Sequence, residues 1–213
     1  MRPAFKGIFH LLAASFYTIA LHNLGSLIPY DLKGPFNIYL ASIIGNFVCS
    51  AALHLFDWDH STNLILRRLD HVMIYIMIAS TYNAAISTIM YDISNLVVCF
   101  ICAGTIFGIG SRLFYTDAPK ILISGPYFII GWSILLDPYI IFKVVERVPE
   151  GAFFALLGGL SYSLGAIIYT TESPKLWPRY MSFHELFHIC TIIGTTMFAI
   201  CLFKYAIPFH INK

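Results

Sequence analysis

Charge is scarce in this 213-residue chain: Asp, Glu, Lys and Arg together make 11% of it, against about 25% in ordinary soluble domains. What charge there is nearly cancels, leaving a formal +2 with no run of Lys or Arg, so a nucleic-acid-binding surface is excluded as an expectation. Internal repeats and low-complexity tracts are missing. Paired cysteines are missing too: Cys49, Cys99, Cys102, Cys190 and Cys201 are scattered. The C-x-x-C of Cys99 and Cys102 lies inside an apolar run, and all five read as buried thiols rather than a redox pair or disulfides.

What fills the chain instead is apolar. Hydrophobic residues make 58% of it and mean hydropathy is +0.76, the composition of an integral membrane protein. A spanning helix needs about 20 apolar residues. Seven such stretches are expected, at 7–27, 36–56, 71–90, 95–113, 121–142, 152–171 and 184–207, with no room for a separate soluble domain. The first resembles a signal peptide in carrying Arg2 and Lys6, but no small-residue cleavage pattern follows it, so it reads as a retained helix. The separators hold the turn formers and charges: Pro29 to Pro35, Asp57 to Asp70, Asp92, Asp117 to Lys120, Glu146 to Gly151 and Glu172 to Arg179.

The expected fold is an all-α bundle of seven transmembrane helices, one domain over 1–213, in the cell membrane. Its orientation follows from the basic residues. A cytoplasmic N-terminus collects Arg2, Lys6, Arg67, Arg68, Arg112, Lys120, Lys175 and Arg179 on the inside and leaves Lys33, Lys143, Arg147, Lys204 and Lys213 outside, with the C-terminus.

Polar residues stand out where an apolar run should have none. Ser182-Phe-His184-Glu-Leu-Phe-His188 sets two imidazoles at i and i+4 at the mouth of the last span, on one helix face, where both reach one ion. The second span ends with Ser50 and His54 at the same spacing, and Asp70 opens the third. The expected topology brings all of these to the cytoplasmic edge. His54, His184 and His188 with a water held by Asp70 would make a three-ligand zinc site with an open position, the form of a catalytic metal.

Each residue also has a plainer role. His54 can snorkel, Asp70 can cap the third helix, and Ser50 can bond its own i−4 carbonyl. His184-Glu185-x-x-His188 also matches the zinc-protease pattern, but no acidic motif follows in a later helix. Glu185 is therefore expected to be a helix-start charge at the positive end of the dipole. The role of His71 stays open.

Several stretches together carry a resemblance: SAALHLF at 50–56, LRRLDHVMIYIMIASTYNA at 66–84, Gly131-Trp132, GGLSYSLGAIIY at 158–169, FHELFH at 183–188 and the lead-in from Arg2 to His10. They resemble the hemolysin III family, related to the adiponectin and progestin receptors and distantly to the alkaline ceramidases. The resemblance implies seven membrane helices, zinc on His54, His184 and His188, Asp70 holding the water and Ser50 as a supporting hydroxyl. It also implies, as activities to weigh, a ceramidase-like hydrolase of a lipid amide or ester, a cytolytic or pore-forming protein, or a receptor-like protein with structural zinc. Membrane lipids are the expected partners. The chain departs from the family at Leu53, where many members have Tyr, and at 79–84, where a proline is lost and the third helix should straighten. The acidic, Asn-containing motif that some members carry before the first helix is not found.

Overall fold

In the computed structural model the described residues are 7–115, 118–174, 176–177 and 181–213. The lead-in from Arg2 to Lys6 and the charges Asp117, Lys175 and Arg179 lie outside them. Most of the rest is helical: α1 Ile8–Leu24, α2 Lys33–Leu55, α3 His60–Ile86, α4 Asn95–Phe114, α5 Lys120–Gly131, α6 Pro138–Arg147, α7 Pro149–Thr171 and α8 Phe183–Ile200, which runs on through a π-helical turn Cys201–Ala206 into α9 Ile207–Ile211.

The chain is an all-α membrane bundle. Among the described residues five helices are long and apolar enough to cross a bilayer: Ile8–Leu27, Tyr30–Leu55, Asn95–Phe114, Pro149–Thr171 and Phe183–Ile211. Large apolar side chains such as Phe16, Ile106, Phe107 and Phe114 are exposed, as a lipid-facing surface requires. Cys99 and Cys102 share that surface. The expectation that all five thiols are buried fails for this pair, because α4 turns that face away from its neighbours.

Two other expected stretches look different. The third helix starts at His60 rather than 71, since Asp59 caps it by accepting from the backbone N–H of Ser61 and Thr62 at 3.0 and 3.1 Å. Asp70 therefore sits three turns inside α3 and caps nothing. With Arg67, Arg68, Asp70 and His71 on its first half, α3 is long but less apolar than its neighbours. It runs unbroken to Ile86, in keeping with the lost proline.

The expected span 121–142 is broken. α5 stops at Gly131, residues Ser133–Leu136 form a 3-10 turn, and α6 restarts at Pro138 with Asp137 as its cap, accepting from Ile140 N–H at 3.1 Å. Tyr82 of α3 holds the break. Its hydroxyl donates to Gly131 O at 2.9 Å and accepts from Ile134 N–H and the Ser133 hydroxyl, both at 3.2 Å. Trp132 turns to α7, its indole N–H donating to Ser163 Oγ at 3.0 Å.

Long mutual contact runs along α7 and α8, α2 and α3, and α1 and α2. Small residues allow the close approach: a Cβ on Gly108 of α4 would lie 2.1 Å from the Tyr75 ring of α3. The core of buried side chains includes Phe36, Tyr39, Ile43 and Phe47 of α2 with Leu202 of the π-helical turn.

Candidate metal centre

Three helix ends meet at the site. His54 stands in the last turn of α2, and His184 and His188 stand in the first two turns of α8. α8 starts there because Ser182 and Glu185 form a capping box: the Ser182 Oγ accepts from His184 N–H at 3.2 Å, and the Glu185 carboxylate accepts from Ser182 N–H at 2.7 Å and from its hydroxyl. Glu185 is thus engaged as a helix-start carboxylate. α1 enters alongside through Gly7, whose φ of +80° favours glycine; a Cβ there would also press on His54 Cβ at 3.1 Å.

The Nε2 atoms of His54 and His184 lie 3.0 Å apart. The ring of His188 is 4.4 Å from that of His184 and 5.2 Å from that of His54, and one ring nitrogen of each residue falls within 4.8 Å of the others. Nitrogens on a tetrahedral zinc with bonds of about 2.0–2.1 Å stand about 3.3 Å apart. With the first pair eased slightly apart and His188 drawn slightly in, the three imidazoles fit such an ion. Asp70 of α3 faces Ser50 of α2, one turn before His54. All five residues line one cavity of about 840 Å³.

That cavity is deep. Its wall follows α3 from Asn63 to Ala85, continues past that helix to Met90, and follows α7 from Tyr169 to Pro149; twenty-one residues of α7 at a rise of about 1.5 Å make about 30 Å, the full hydrocarbon thickness of a bilayer. Cations gather at the histidine end. Arg67 bonds Asn63 Oδ1 at 3.1 Å, and Lys120 pairs with Glu172 at 2.9 Å while lying over the rings of Tyr169 and Phe183.

Two residues join the site beyond the expected five. His10 of α1 is buried and stacks on His188, ring centroids 3.8 Å apart, with its Nε2 3.4 Å from the Thr191 hydroxyl. The signal for it was a histidine early in an apolar helix, just after a glycine. His71 lines the cavity beside Asp70, its Nδ1 buried and without a hydrogen-bond partner. His22 is exposed and His210 pairs with Asp31 at 2.7 Å, well away from the cluster in the fold.

Apolar helices of membrane length around a deep cavity, with its polar groups gathered at one end, define a multi-pass membrane protein. The chain belongs to the haemolysin-III-related family, which matches it over residues 1–199. It is 26% identical over 202 residues to a hemolysin-3 homolog of Bacillus subtilis, covering 92% of this chain and 86% of that one. With hemolysin-3 of Bacillus cereus the identity is 27% over 175 residues, 81% and 75% of the two chains. Heptahelical transmembrane protein 5 of Arabidopsis thaliana is 30% identical over 180 residues, 76% of this chain and 47% of that one.

Proposed function

We propose that the protein is a zinc-dependent hydrolase of a lipid amide or ester, with its site near the cytoplasmic face. The observation that carries this reading is the 3.0 Å approach of the His54 and His184 Nε2 atoms, with a nitrogen of His188 close by, at the end of a cavity that also holds Asp70. Closed structural zinc sites gain nothing from a cavity of that depth.

His54, His184 and His188 would hold the ion through neutral nitrogens. Zinc, when bound, supplies Lewis-acid polarisation of a carbonyl and a more acidic water. The Asp70 carboxylate takes the proton as the water oxygen adds to the carbonyl carbon, then gives it to the departing amine or alkoxide as the C–N or C–O bond breaks. Ser50 steadies the carboxylate from the facing helix. The apolar wall takes the acyl chain and keeps bulk water from the reacting carbon.

Asp70→Asn tests this directly. The amide keeps the volume and one acceptor oxygen but takes no proton at neutral pH. Zinc measured by elemental analysis should stay at one per chain while hydrolysis of a lipid amide panel falls by about 10²–10⁴-fold. Loss of zinc and of thermal stability together, with no hydrolysis detected in the wild type, would identify Asp70 as the fourth ligand of a structural staple and end the enzyme reading.

A further inference from the structure

One face of α2 carries a polar residue every turn: Ser42, Asn46, Ser50 and His54. Three of them are accounted for. Ser42 lies 2.6 Å from the Ser80 hydroxyl and donates to Tyr39 O at 2.7 Å, Ser50 faces Asp70, and His54 belongs to the imidazole cluster. Asn46 is the exception. Only 5% of it is exposed, it lines the cavity, and its Oδ1 is buried with no hydrogen-bond partner.

A buried amide oxygen without a partner is costly in hydrocarbon, where neither lipid nor apolar side chains can satisfy it. Its Oδ1 is an acceptor in want of a donor, and the O–H of a hydroxyl group supplies one. A second buried atom has the same appetite. His10 Nδ1 is buried in the same cavity with no hydrogen-bond partner, while the other ring nitrogen, Nε2, lies 3.4 Å from the Thr191 hydroxyl.

Depth decides what the group belongs to. Asn46 lies one turn, about 5–6 Å, beyond Ser50 on the side away from the imidazoles. The N–H of a reacting amide sits on the carbonyl itself and falls short of that distance. An acyl chain running inward from the carbonyl passes Asn46 within its first few carbons, then continues along the apolar wall toward Met90 and Pro149.

We propose that Asn46 forms a hydrogen-bonding subsite for a hydroxyl carried on the acyl chain close to the reacting carbonyl, so that the cavity selects hydroxylated over plain long-chain acyl groups. This rests on the lipid reading of the cavity given above. It assigns Asn46 to specificity rather than to chemistry.

The test is binding. Purified zinc-loaded protein in detergent is titrated with palmitate, 2-hydroxypalmitate and 3-hydroxypalmitate, and apparent affinity is read from the shift in melting temperature. At least one hydroxylated acid should bind the wild type about 3- to 10-fold more tightly than palmitate, the net worth of one hydrogen bond. Asn46→Leu, similar in volume, should bind palmitate at least as well and lose the preference. Because it removes an unsatisfied buried amide, it should melt no lower than the wild type without ligand. Asn46→Ser should keep part of the preference. Equal affinity for all three acids in the wild type, or an unchanged preference in Asn46→Leu, overturns the subsite alone. No stabilisation by any of the three acids overturns the lipid reading with it.

Discussion

The imidazole of His10 lies face to face on that of His188, with ring planes 16° from parallel, although 178 residues separate them. His188 is gripped from one side by this ring, and α1, pressed against the end of α2 at Gly7, holds the ring in place. Replacing His10 with Leu keeps bulk but removes the flat, hydrogen-bonded support. Outer-shell partners of metal-bound histidines are worth about 10–100-fold in affinity. His10→Leu should therefore shed zinc to a chelator about tenfold faster or more, with wild-type stoichiometry at saturating zinc; an unchanged release rate would make His10 packing alone.

The proposed ligand set makes a paired prediction. His184→Ala and His188→Ala should lose zinc and melting temperature together, because a metal at 100 times its Kd adds about 2.7 kcal/mol to the folded state. His22→Ala should change neither. His210→Ala, which breaks only the exposed pair with Asp31, should keep its zinc. Elemental analysis beside thermal melts reads both quantities on the same samples, and controls that behave like the ligand variants would show that the site is wrongly assigned.

Orientation is tested from the two ends of the bundle. Asn63 stands on the first turn of α3 at the histidine end, and Asn212 follows α9. Asn63→Cys and Asn212→Cys, each in a background without native cysteines, should react with an impermeant thiol reagent from opposite sides, Asn63→Cys from the cytoplasm. Labelling from one side would refute a count of seven crossings.

Acid should loosen the loop end near Tyr91. Arg147 pairs with Asp92 at 2.5 Å, donates to Ile89 O at 2.7 Å and lies over the Tyr91 ring, and its hydrogen bond holds the Asp92 carboxyl below the usual carboxylate range. A depressed folded-state value means that the pair's contribution is full above the unfolded value of about 3.9 and is lost as pH falls through the folded one. Partly in solvent, it is worth about 1 kcal/mol or less. Asp92→Asn should lower the melting temperature at pH 7 slightly and leave that part of the curve flat below pH 4; an equal loss at both pH values would mean that the ion pair contributes nothing.

Much of this bundle can be read from periodicity and breaks. The helix ends at 55, 95, 171 and 183 fall within a residue of where apolar runs stop, since a lipid-facing helix has to be apolar throughout. What hydropathy hid was polar helix. The eleven residues from His60 to Asp70 belong to α3 but look like a loop, and only the cap at Asp59, followed by Ser61 and Thr62, betrays them. The break after Gly131 was hidden for the opposite reason, because Trp132 to Leu136 is apolar and its turn is made by Tyr82, a residue far away in the chain. The site divided along the same line. His184 and His188 are neighbours on one helix and announce themselves, whereas His10 and Asn46 matter through packing between helices, which spacing along one helix cannot display.

The broken segment has a consequence for how the protein is made. Lys120–Gly131 and Pro138–Arg147 have 12 and 10 residues, and neither alone reaches the roughly 20 that settle in a bilayer unaided. The open backbone between them is satisfied by Tyr82, synthesised 49 residues before Gly131, while the indole of Trp132 waits for Ser163, 31 residues later. Insertion of this stretch should therefore be a joint event that depends on α3, made before it, and on α7, made after it, so a substitution at Tyr82 should show first as a defect in biogenesis.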